Sequence, residues 1–117
     1  MKTSTAIITA LNSLEAVRAE IALGFDNAAE QAEYLASEAF ALEELAALGV
    51  TEEHPGGYIS TKIGGTVFAA WDNGGRPRAD TYLPVGTVGH PHGQILASHG
   101  GSSPVAALAA AMQAAAA

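Results

Sequence analysis

Residues 58–75 read YISTKIGGTVFAAWDNGG. Ile59, Thr61 and Ile63 fall on one side of an extended chain, the period-two pattern of a half-buried strand. Gly64-Gly65 follows directly, and paired glycines supply the positive φ that both central positions of a two-residue hairpin turn require. Residues 66–71 then read as a second strand, closed by the turn-forming run Asp72-Asn73-Gly74-Gly75. Strands joined by so few residues leave no room for a crossover, so this part of the chain is an antiparallel meander.

Working downstream, residues 80–85 supply a third strand, with Pro84 marking an edge or a strand end, and residues 94–98 a short fourth. Ser102 or Ser103 stands where a helix N-cap belongs, and Pro104 at the first helical position forfeits no hydrogen bond. Val105, Leu108 and Met112 give this last helix, over 103–115, its apolar side, and the final four alanines are expected to fray.

Working upstream, the period lengthens to that of a helix. Ile7, Ala10, Leu11, Leu14, Val17 and Ile21 share one stripe over 5–23, with Thr3, Ser4 and Thr5 as capping hydroxyls and Gly24 as the left-handed residue that ends it. Asn27 and Glu30 have the spacing of a capping box, with Asp26 a competing cap. Ala28, Ala32, Leu35, Ala39, Leu42 and Ala46 then form a seam of mostly small side chains, which lets a neighbouring helix approach closely. Gly49 ends the run, and HPGG at 54–57 forbids further helix. The expectation is one α+β domain over 1–117, in the order ααβββα with room for an extra strand. It comprises an acidic αα-hairpin (1–50), a three- to four-stranded antiparallel sheet (58–98) and a C-terminal helix, with the helices packed on one side of the sheet.

Composition sets bounds on function. The chain has 117 residues, 49% of them hydrophobic, enough for a core without staples. It has no cysteine, which removes disulfides, thiolate metal sites and cysteine nucleophiles together. Ala6-Ile7-Ile8 is interrupted at once by Thr9, Asn12, Ser13 and Glu15, so the start does not read as a secretion signal. The alanine tail is too short and too weakly apolar to cross a bilayer, and a cytoplasmic protein without membrane contact is expected. A net charge of −7 with only five Lys and Arg argues against direct binding of nucleic acid.

The charge is segregated. Residues 1–53 hold ten acids against two bases, residues 54–117 hold two acids against three bases, and 81–117 hold neither. On a helical projection Asp26, Glu30, Glu33 and Glu44 gather opposite the Leu35/Ala39/Leu42 seam, with Glu38, Tyr34 and Phe40 on the flanks. A solvated helix face explains such acids; so does a negative surface that meets a basic one, with the aromatics as anchors. The uncharged C-terminal part asks to be covered, and a homodimer through it is one expectation.

Two constellations have chemical potential. His90, His92 and His99 have spacings that an extended chain can turn to a zinc or nickel site. Gly100-Gly101-Ser102-Ser103 feeds a helix N-terminus, which suits an anion, with Arg76 or Arg78 as helpers. Neither the P-loop nor the dinucleotide fingerprint is present, and no nucleophile elbow is found. The leading expectation is therefore a non-catalytic acidic binding protein without a cofactor, which occupies a basic, nucleic-acid-binding surface of a larger partner. A phage-encoded inhibitor of a defence complex is the type it suits. The alternatives are an anion-binding module at residues 100–103 and a histidine-based metal enzyme.

Overall fold

Both glycine pairs turn the chain as their conformational freedom allows. In the computed structural model, which describes residues 2–54 and 57–116, φ is 56° and 86° at Gly64 and Gly65 and 64° and 85° at Gly74 and Gly75. Positive φ at both central positions matches the right-handed twist of the flanking strands. The turns join β2 (Ile59–Ile63) to β3 (Thr66–Asn73) and β3 to β4 (Arg76–Leu83). A short β1 (Thr51–Glu52) precedes them and β5 (Gln94–Gly100) follows, giving one antiparallel sheet in the order β1-β2-β3-β4-β5. The sheet thus has five strands, where three to four were expected. The missed strand lies in the expected connector 51–57, whose Pro55 and Gly56 are outside the described residues. Strand β4 also starts at Arg76 instead of residue 80, because the tight turn sends the chain straight back along β3.

Three helices complete the α+β layout: α1 (Lys2–Leu23), α2 (Ala28–Ala47) and α3 (Pro104–Ala116). Thr3, Ser4 and Thr5 are helical, so none caps α1. Gly24 ends α1 with φ 91°, and the Asn27 side chain caps α2 by accepting from the Glu30 N–H at 2.8 Å. Ser103 caps α3, accepting from Ala106 N–H at 3.0 Å. Helix α3 lies against β2 to β5, α1 lies against α3, and α2 lies against α1. The core follows that stacking: Ile7, Leu11 and Leu14 of α1 and Val105, Leu108 and Met112 of α3 are buried with Ile59 and Phe68 of the sheet. Each large apolar side chain buried this way contributes about 1.5–3 kcal/mol. The uncharged helix is therefore covered inside the monomer, which meets the reason for expecting a dimer through it.

Helix α2 turns a different face inward from the one its small-residue seam suggests. Ala41 and Leu45 are its buried residues, with Tyr34, Glu38 and Leu48 half-buried on the same side. Of the expected seam Leu42 is half-buried and packs against the core, whereas Ala28, Ala32, Leu35, Ala39 and Ala46 are exposed, and Phe40 stands 66% exposed. Alanine contributes little on either side, so the choice falls to the larger groups. Leu45 joins Val50 and Ile59 in the core, and Glu38 is drawn toward an arginine of α1. Replacing Leu45 with Ala is expected to cost about 2–4 kcal/mol, and Leu35→Ala under about 1 kcal/mol, in urea unfolding. The reverse order would restore the seam as the packed face.

Candidate functional site

The α1–α2 turn concentrates unpaired acid. Because only 24–27 separate the helices, the last turns of α1 come alongside the first turns of α2. Phe25 stacks on Tyr34, with ring centroids 6.0 Å apart and planes 30° off parallel. The carboxylates of Glu20 foremost, with partial burial and the charges of Glu30, Glu33 and Asp26, push the Tyr34 hydroxyl above its usual range. The charges of four carboxylates thus bear on Tyr34 of this half-buried aromatic pair. Among the described residues the ion pairs are those of Arg18 with Glu38 and Glu52 and of Arg78 with Asp80, so none reaches this group.

The structure divides the expected partner-binding residues. Asp26, Glu30, Glu33 and Tyr34 come together, and Glu20 and Phe25 join them. Glu38 does not: its carboxylate accepts from Arg18 Nε at 2.9 Å, while the Nη atoms of Arg18 reach both oxygens of Glu52 at 2.6 Å. Glu44 is about 21 Å from Glu30 along the helix axis. Phe40 projects from the outward face of α2, away from the Phe25–Tyr34 pair. Glu20 and Phe25 escaped the sequence reading because the projection treated α2 alone. Folding the hairpin on paper, so that 20 faces 30–34, would have found them.

The expected anion site is filled from within. Ser103 Oγ donates to Glu15 Oε2 at 2.5 Å, and Ser102 Oγ reaches Oε1 at 3.4 Å. A carboxylate of α1 therefore takes the place at the α3 N-terminus that a free anion would need. Gly101 has a packing role: a Cβ there would meet the Ala107 N atom at 2.6 Å. Arg76 and Arg78 do not join the serines; with Ser98 and Gly100 they line a separate shallow cleft of ≈ 400 Å³. Arg78 Nε donates to Asp80 Oδ1 at 2.8 Å, Ser98 Oγ donates to the same oxygen at 2.6 Å, and the guanidinium sits 5.9 Å from the Trp71 ring centre.

Nor do the histidines assemble. Among the described residues no group of three His, Asp or Glu side chains is placed to hold a metal ion. His90 bridges to Thr87 within the 84–93 loop, His92 follows in that loop, and His99 belongs to β5. Extended geometry was the premise of that reading, and Pro91 and Gly93 turn the chain instead. An apolar cleft of ≈ 410 Å³ beneath α3, lined by Phe68, Leu96 and Met112, carries no titratable group among the described residues. No family model matches the chain, and no curated protein or solved structure matches it significantly. No described helix is long and apolar enough to cross a membrane.

Two measurements follow from these contacts. Arg18→Met removes the cation that joins Glu38 to Glu52, whose side chain is only 6% exposed. A loss of about 2–4 kcal/mol in chemical unfolding is expected, more than a surface ion pair gives. For Asp80, burial pushes the carboxyl up, but the Ser98 hydroxyl and the Arg78 guanidinium outweigh it and hold the group below the usual carboxylate range. A depressed carboxylate stabilises the fold above its unfolded pKa, and that stability is lost as pH falls through the folded value. The stability gap between the wild type and Asp80→Asn should thus be full at neutral pH and close below about pH 4. A gap that widens on acidification would reverse the sign.

Proposed function

We propose that this is a non-catalytic binding protein that presents the acidic end of its helical hairpin to a basic surface of a larger partner. The support is one observation: Tyr34, stacked on Phe25, feels the charges of Glu20, Asp26, Glu30 and Glu33, and no described cation pairs with these carboxylates. Like charges held this close repel one another by a few tenths of a kcal/mol per helical pair. A basic partner surface relieves that repulsion on contact, and the aromatic pair supplies rigid apolar area at its centre. Where the partner's basic surface takes nucleic acid, occupation by this end is competitive inhibition. A phage-encoded inhibitor of a nucleic-acid-handling defence complex is the setting in which such competition is useful.

The site residues of the proposal are Glu20, Asp26, Glu30, Glu33, Phe25 and Tyr34. The test is a competition measurement on the partner captured by the wild-type protein and then purified. The wild type is expected to displace labelled nucleic acid from that partner. The Glu20→Lys/Glu30→Lys/Glu33→Lys variant should do so at least about tenfold less well, since charges at a docking rim govern both encounter and fit. Far-ultraviolet circular dichroism keeps the variant's fold in view. Displacement at wild-type strength by the triple variant would refute the proposal.

A further inference from the structure

The strand register places three cations and three aromatic rings on the face of the sheet that α3 leaves open, together with Asp80, which is paired with Arg78. Buried Ile59, Thr61, Phe68, Ala70, Ala79 and Thr81 point toward α3, so their strand neighbours point away from it. Register then sets Lys62, Val67 and Tyr82 in one row of that outer face, and Trp71 and Arg78 in another. Tyr58, next in alternation before Ile59, and Arg76, two residues before Arg78, complete it. No helix packs there. We propose that this open face binds single-stranded nucleic acid, with Tyr58, Trp71 and Tyr82 stacking bases and Lys62 and Arg76, which no described acid pairs, meeting phosphates.

Tyr82 and Tyr58 flank β3 on this face, two rows apart, and between them Ala69 is only 2% exposed. Aromatic rings on an open sheet face are platforms for unstacked bases of any sequence. The rows of Lys62 and of Arg78 are four residues apart along β3, roughly 13 Å. That length accommodates about two nucleotides between cations. Arg76, which no described acid pairs, borders the ≈ 400 Å³ cleft beside Arg78 and Ser98, where one phosphate can be met. A second copy of this chain fits poorly. A two-fold contact through the face sets these cations against their own copies.

The net charge of −7 speaks against nucleic acid only when averaged over the molecule. Glu30 is about 22 Å along α2 from Leu45, where the hairpin meets the sheet, and ordinary salt screens charges beyond about 10 Å. The surface is thus independent of the acidic end, and its test needs no partner protein.

The experiment is fluorescence anisotropy of a labelled oligothymidylate of about twelve nucleotides, titrated with the whole protein near 50 mM salt. Saturable binding with quenching of Trp71, the single tryptophan, is expected. Affinity should fall roughly tenfold by about 200 mM salt, as expected for about two phosphate contacts. Lys62 and Arg76 are exposed and, among the described residues, carry no ion pair, so Lys62→Glu/Arg76→Glu keeps the fold. That variant should bind at least about tenfold more weakly. Tyr82→Phe, which keeps its ring, and Glu20→Lys/Glu33→Lys should bind no more weakly than the wild type. No anisotropy change at about 100 μM protein, duplex bound as tightly as single strand, or full affinity in the Lys62/Arg76 variant would each overturn the proposal. So would light scattering showing a dimer that this variant dissolves.

Discussion

A helix with no charged side chain has to be covered on more than one side, and α3 meets that constraint by standing between the sheet and α1. Seven of its thirteen residues are buried, four of them non-alanine: Pro104, Val105, Leu108 and Met112. Its alanines let both neighbours come close. The approach is tight enough at Gly101 that no side chain fits between that residue and the helix. Everything else follows from where α3 sits. Because it takes one face of the sheet, α1 has to pack on α3, α2 has to pack on α1, and the other sheet face is left open.

That arrangement leaves α2 weakly held, with two buried residues in twenty. Leu45 anchors its C-terminal end through Val50 and Ile59. Its middle is held by Arg18, whose guanidinium joins α1 to Glu38 of α2 and Glu52 of β1. Planar donors matched to two carboxylates make a directional clamp, which an apolar contact of alanines cannot provide. The clamp also decides which carboxylates stay available. It takes Glu38 and Glu52 out of the acidic surface and leaves the cluster at the turn.

The fold was legible where residue chemistry is local. Two glycine pairs, Asn27, Gly24, Gly49 and Ser103 mark their turns and caps without reference to anything distant. The rotation of α2 was not legible. Its small-residue seam has the regular helical spacing, whereas the face that packs includes Tyr34 and Glu38, and the arginine that draws Glu38 inward lies twenty residues away. The anion site failed for the same reason: Glu15 is eighty-eight residues from Ser103, and no local pattern announces their meeting. The acidic cluster was half legible. Asp26, Glu30, Glu33 and Tyr34 share one helix end, whereas Glu20 and Phe25 enter through the turn.

The outer sheet face was legible in principle and shows what a net charge conceals. The alternation that put Ile59, Thr61 and Ile63 on one side puts Tyr58, Ser60 and Lys62 on the other. The same step applied from Trp71 to Tyr82 collects the remaining aromatics and arginines. Counting acids and bases by halves found an acidic end and a nearly neutral one, but neutrality there is a sum over two faces. The three bases lie on one face, while of the two acids Asp72 points with the α3 side and Asp80 shares the face of the bases, bonded to Arg78 and Ser98. A strand segregates its charges every second residue, so counts along the chain erase a polarity that the register restores. The molecule therefore carries two opposed surfaces, a crowded acidic helix end and a cationic aromatic sheet, both products of which side α3 covers.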